Sequence, residues 1–201
     1  MDDIISKIHA ADNHIALTFD DGPDPNHTPF LLNILKHFNA KATFFVVGKR
    51  LETFPDLAKR IIAEGHELGN HTYSHQNLAK LEYDHVYDEL LKTEKIIKKI
   101  TGQKPVLFRP PFLKYNDTTL EVSRRFGYLM ILRSIETFDF RRPGVHKIVK
   151  RVMSKINKGE IVLLHDSGGD RKQTVEAVEI ILNKCKKRDY ECVCVSKLLE
   201  R

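Results

Sequence analysis

The sequence predicts an α/β fold of about seven βα units, and three features of its 201 residues carry that prediction. Short apolar runs of strand length alternate with longer stretches whose apolar residues recur three and four apart, the two periods imposed by strands and amphipathic helices. Proline and glycine punctuate the helical stretches, with Pro55 opening one and Gly65 and Gly102 closing two. Acidic residues, histidines and an arginine follow the ends of strand runs, where the loops of a parallel sheet converge. Such units fit either an open doubly wound sheet or an incomplete barrel. The length is that of one domain spanning residues 1–201, large enough to bury a continuous core.

The first strand run is His14-Ile15-Ala16-Leu17, followed by a helical face of Phe30, Leu31, Ile34, Leu35 and Phe38. Residues 42–47, aromatic and β-branched, form the second strand, and Leu57, Ile61 and Ile62 mark the next helix. A weaker strand at 66–70 precedes the longest helix, which carries Val86, Leu90, Ile97 and Ile100. A short strand at 106–108 runs into Arg109 and two prolines, and a helix at 117–126 leads to a strand at 128–132. The clearest helical spacing is Val145, Ile148, Val149, Val152, Met153 and Ile156, followed by a strongly apolar strand at 161–164. A helix at 173–187, a strand at 190–195 and a short helix holding Leu198 and Leu199 complete the chain. Cys192 and Cys194 are expected on one face of that last strand, and three cysteines do not suggest a disulfide framework.

The composition, 41% hydrophobic and 30% charged, is that of a soluble globular protein. The net charge of +6 arises from lysines scattered over helices, with no aromatic-interleaved basic stripe, so nucleic acid is not an expected partner. No apolar run reaches the roughly 20 residues that span a bilayer. The N-terminal residues lack the layout of a secretory signal.

Chemistry is concentrated in four places. Thr18-Phe19-Asp20-Asp21-Gly22-Pro23 sets two carboxylates at a strand end, and such a pair calls for a metal, an arginine or a shared proton. Asn70-His71-Thr72-Tyr73-Ser74-His75 holds histidines four apart, a spacing that on a helical turn turns both imidazoles to one side. With Asp21 they make a two-His, one-carboxylate set that leaves positions open for water and substrate. The alternative is a pair of ordinary loop histidines in a chain rich in them. Asp20 then remains available as a base. Arg109 is placed to orient it, or else caps a carboxylate at the surface beside the prolines. Those prolines stiffen a loop that presents the Phe112 N–H to a ligand. His165 emerges from a wholly apolar strand as a general-acid candidate, with a satisfied core histidine as the alternative, and Asp139 is its expected partner.

Taken in order, these motifs resemble the polysaccharide deacetylase family, the NodB homology domain of carbohydrate esterase family 4, from Ala16 to Leu199. The first family motif is Thr18 to Pro23, the second is His71-Thr72-Tyr73-Ser74-His75, the third begins Arg109-Pro110-Pro111-Phe112, and the fifth is Leu163-Leu164-His165. The resemblance implies a distorted (β/α)7 barrel and a divalent metal, Zn2+ first, with Co2+, Ni2+ or Mn2+ as alternatives. It implies Asp21, His71 and His75 as ligands, Asp20 as base and His165 as acid, with Arg109 and Asp139 beside them. Pro111, Phe112, Phe140 and Leu163 would meet the substrate. The implied reaction removes N-acetyl groups from a glycan containing N-acetylglucosamine, such as peptidoglycan or chitin-like oligomers, in the cell envelope or outside the cell, with a cytoplasmic location as the alternative.

The sequence departs from the family pattern where Phe112-Leu113 replaces a usual Tyr-Gly. It departs again where Arg133, Glu136 and Phe140 stand at positions that commonly hold tryptophan, aspartate and tryptophan. With Lys114, Arg141 and Arg142 nearby, these changes point to a substrate less like plain chitin and bearing anionic groups. Two rival readings are an O-acetyl esterase or non-sugar amide or imide hydrolase on the same scaffold, and a non-catalytic glycan-binding relative.

Overall fold

A computed structural model describes residues 3–10 and 12–200. Its elements are β1 (Ile4–Ile5), β2 (His14–Asp20), α1 (Thr28–His37), β3 (Ala42–Val46), α2 (Gly48–Thr53) and α3 (Pro55–Ala63). They continue with β4 (Glu67–Asn70), α4 (Tyr83–Thr101), β5 (Leu107–Phe108), α5 (Asp117–Arg125), β6 (Leu129–Ile131) and β7 (Ile135–Glu136). α6 (Val145–Met153), β8 (Ile161–His165), α7 (Lys172–Lys186), β9 (Glu191–Cys192) and α8 (Val195–Leu199) close the chain.

All pairings are parallel, in the order β1-β6-β5-β4-β3-β2-β8-β7. β9 joins the start of β2 at His14 and Ile15, before β3 takes over at Leu17. From β2 to β6 the chain adds strands in one direction, without the reversal of a doubly wound sheet, and among the described residues no ladder joins β7 to β1, so the curled sheet is a barrel that stays open. The doubly wound alternative is thereby set aside, and the distorted (β/α)7 barrel stands. None of the described helices is long and apolar enough to cross a membrane.

β2 is the spine of the molecule because it is flanked on both sides. Ile15, Leu17 and Phe19 pack in the main apolar cluster with Leu31, Leu35, Val178 and Ile181 of α1 and α7. Strand alternation therefore turns Ala16, Thr18 and Asp20 toward the barrel interior. In register, Asp20 lies beside Phe45 of β3 on one side and His165 of β8 on the other. Two strand ends thus deliver a carboxylate and an imidazole to the same rim.

Helix boundaries follow local chemistry. Proline opens α1 and α3, Gly102 closes α4 in the left-handed region at φ 76°, and Asn116 caps α5 in a reciprocal box with Thr119. Each of the seven strand runs read from the sequence contains a strand. β1 and β7, two residues each, and the single-turn helix α2 carry no periodic signal and were not expected. The last strand ends early. β9 stops at Cys192, and Cys194 precedes α8 with its thiol on the Ala42 carbonyl (3.3 Å), so the two cysteines do not share a strand face. All three thiols are free.

Candidate active site

Every sequence-predicted chemical residue lies at the C-terminal ends of the strands. Asp20 ends β2, His71 follows β4, Arg109 follows β5, Asp139 follows β7 and His165 ends β8. Most left-handed non-glycine residues gather on the same rim: Asp21 (φ 78°), Thr72 (66°), His75 (59°), Phe112 (59°), Leu113 (54°), Phe138 (51°) and Arg142 (51°). Such conformations cost free energy and persist where surrounding contacts hold them. Leu113 adopts this geometry although the family usually places glycine there.

Asp21, His71 and His75 converge, their ligand atoms all within 4.8 Å of one another. The His75 Nε2 is 3.0 Å and the His71 Nε2 3.5 Å from Asp21 Oδ1. The histidine loop is not a helical turn, contrary to the expectation from spacing: residues 71–77 are irregular, and Thr72 and His75 reverse the backbone at positive φ. The Thr72 hydroxyl accepts the His75 N–H (3.1 Å), and the Glu89 carboxylate accepts the N–H groups of Tyr73 and Ser74. His71 donates Nδ1–H to the Arg109 carbonyl (2.7 Å), which leaves its Nε2 lone pair facing the trio. Burial opposes ionisation of Asp21, but the imidazoles of His71 and His75 outweigh it and hold this carboxyl well below the usual range. Two outward-facing imidazole nitrogens and an ionised carboxylate suit a divalent cation with open positions.

Arg109 is not at the surface. It is fully buried, its guanidinium 4.1 Å over the Phe45 ring. It donates to Asp20 Oδ1 (2.7 Å), the Thr18 hydroxyl (2.7 Å) and the carbonyls of Ile131 (3.0 Å) and Leu132 (2.7 Å). Burial lowers its pKa and Asp20 works against that. With Oδ1 held, Asp20 Oδ2 faces the cleft, 3.8 Å from His71 Nε2.

His165 and Asp139 form the second titrating unit. Asp139 Oδ1 lies 2.7 Å from His165 Nδ1, while Oδ2 accepts the His165 N–H (2.9 Å) and the Thr174 hydroxyl (2.8 Å). Burial disfavours charge on His165, but Asp139 outweighs it and pushes the pKa up to about 9. Asp139, despite burial, is drawn below its ordinary value by the same pairing.

The cleft above these groups holds about 650 Å³ and is lined by Asp20, Asp21, His71, His75 and His165, with Phe112, Phe140 and Leu163 among the flanking residues. The Phe112 and Phe140 rings are 61% and 42% exposed, one edge-on to His75 and the other to His165. They therefore flank the cleft on opposite sides. Pro111, expected among the substrate contacts, is buried and does not line it. Arg133 pairs with Glu136 (2.6 Å) on the cleft wall. Leu113, Gly168 and Arg171 also line it. Gly168 and Arg171 carried no sequence signal, and neither did the Thr174 contact. Thr18 lay inside a recognised motif but was given no part.

Residues 7–131 match the family model described as polysaccharide deacetylase. A peptidoglycan-N-acetylglucosamine deacetylase of Bacillus cereus is 42% identical over 187 residues, spanning 92% of this chain and 87% of that protein. A crystal structure of a peptidoglycan N-acetylglucosamine deacetylase superposes with a TM-score of 0.94 at 34% identity, covering 98% of this chain and 92% of that one. A Bacillus anthracis protein described as a CE4 family pseudoenzyme superposes at 0.91 with 32% identity over 98% of this chain and 69% of that one. Shape is therefore shared by active and inactive relatives, and activity has to be argued from the residues. With a family-model match over more than half its length and a relative this similar along most of it, the chain belongs to the polysaccharide deacetylase family.

Proposed function

We propose that residues 1–201 act as one metal-dependent catalytic domain that removes N-acetyl groups from N-acetylglucosamine residues of peptidoglycan, working at the cell envelope. The observation that carries this reading is the meeting, in one cleft, of the Asp21, His71 and His75 trio with Asp20 on one side and the His165–Asp139 pair on the other. A divalent cation, Zn2+ by the donor set, would be held by that trio and would supply a Lewis acid for the acetyl carbonyl and a water of lowered pKa.

The remaining chemistry belongs to the chain. Asp20, its Oδ1 held by Arg109, takes the proton of the attacking water through Oδ2. The Phe112 N–H would donate to the oxyanion that develops on the acetyl oxygen. His165, kept protonated by Asp139, gives its Nε2 proton to the departing amine, which is a poor leaving group without it. Phe112 and Phe140 offer apolar faces to the sugar rings on either side of the scissile amide.

The test is acetate release from chito-oligosaccharides and from peptidoglycan, with and without chelator, for the wild type and for Asp20→Asn. Chelator-sensitive release that disappears in the variant, while metal content is retained, supports the reading. Preferential release from acetylated xylan would move the assignment to an O-acetyl esterase. Full activity in Asp20→Asn would remove Asp20 as the base.

A further inference from the structure

Asp166 follows His165 and is used by none of the steps above, yet it is completely buried against the metal-ligand turn. Its N–H donates to the Asp20 carbonyl (3.2 Å). Its carboxyl group lies so close to Gly22 that a β-carbon there would sit 2.2 Å from Oδ2, so Gly22 is packed directly under it. Oδ2 accepts the Thr28 hydroxyl (2.5 Å), and that hydroxyl accepts the Asp24 N–H (2.8 Å). Oδ1 is buried without a hydrogen-bond partner.

An unpartnered buried oxygen costs stability, and an apolar side chain of similar size would avoid that cost. The residue touches both halves of the site. Asp21 stands at φ 78°, a conformation an aspartate keeps only when its neighbours are held. Those neighbours are held by the Asp166 N–H on the Asp20 carbonyl, by the Val47 N–H on the Gly22 carbonyl (3.0 Å), and by the Asp166 side chain over Gly22. A second strap runs alongside, where His27 donates Nδ1–H to Asp24 Oδ1 (2.9 Å) and accepts the Arg171 N–H at Nε2 (3.1 Å). The loop after β2 is thereby tied twice to the loop after β8.

We propose that Asp166, anchored by Thr28, is a positioning residue that holds the Asp21 turn in the conformation a divalent cation requires and couples it to the strand end bearing His165. The inference rests on the metal-hydrolase reading, and its deciding readout is the affinity of the metal-free protein for Zn2+, which does not depend on turnover.

Metal-free wild type, Thr28→Val, Thr28→Ser and Asp166→Ala are titrated with Zn2+ against a chromophoric chelator, with near-ultraviolet circular dichroism as a check of packing. Valine keeps the shape of Thr28 without its hydroxyl, so Thr28→Val decides the matter even where Asp166→Ala fails to fold. Thr28→Val and Asp166→Ala are expected to bind about tenfold more weakly, the usual effect of removing an outer partner of a metal ligand, and Thr28→Ser to recover wild-type affinity. Loaded Thr28→Val should show reduced kcat with unchanged KM. Wild-type affinity in a folded Thr28→Val, or equal weakening in Thr28→Ser, overturns the proposal. A wild-type protein that takes up no divalent metal overturns the hydrolase reading instead.

Discussion

Replacing Asp139 by asparagine isolates the charge that keeps His165 protonated. An asparagine oxygen turned to the ring still accepts the Nδ1–H, while the ion pair is lost and the amide NH2 replaces the acceptor of the His165 N–H and the Thr174 hydroxyl. Asp139 pushes the His165 pKa up to about 9 from an ordinary value near 6.5. The difference corresponds to roughly 3 kcal/mol favouring the protonated ring. Burial pushes this histidine down while Asp20 and Asp21 still draw it up, so Asp139→Asn should lower its pKa toward the ordinary value. At pH 7.5 the protonated fraction should then fall by up to roughly tenfold.

The direct assay is an NMR titration of the His165 ring in metal-free protein, and a pH profile of kcat in the loaded enzyme is its functional counterpart. The variant's basic limb should move to lower pH. The stability linkage has the same sign: with the folded pKa raised, the pair contributes in full below the unfolded value and that contribution is lost as pH rises through about 9. An unshifted ring titration in Asp139→Asn would refute this account of His165.

Three further outcomes follow from the geometry. Arg109→Met leaves Asp20 buried without its cation and should cost about 3 to 5 kcal/mol in denaturant unfolding, with activity lost as well; a cost under 1 kcal/mol would refute the structural weight given to this ion pair. His75→Ala removes one ligand of the trio while the others stay, so zinc affinity in a chelator competition should fall steeply with little change in melting of the metal-free protein. Phe140→Ala removes an exposed ring from the cleft rim and should raise KM for oligosaccharides more than it lowers kcat, measured on oligomers of increasing length.

The βα alternation was legible in the chain because periodicity and apolar burial are local properties. Ile15, Leu17 and Phe19 announce their strand from their own spacing, as Val145 to Met153 announce their helix. The residues that meet in the cleft, Asp20, Asp21, His71, His75 and His165, were legible too, since each follows a strand run. What spacing misjudged was how His71 and His75 meet: their i, i+4 relation suggested a helical turn, whereas a loop with Thr72 and His75 at positive φ brings the rings together. Arg109 looked exposed beside two prolines, and only its partners across β2 and β6 reveal a buried guanidinium. Pro111, expected among the substrate contacts, is buried and absent from the cleft lining.

Residue type and local period depend on a few neighbours along the chain, so they can be read before folding. The Thr28–Asp166 contact joins residues 138 positions apart, and Thr174 reaches Asp139 across 35. The first pairing exists because the parallel ladder sets β8 beside β2 and the second because β7 lies beside β8, and those adjacencies are properties of the tertiary packing rather than of any segment.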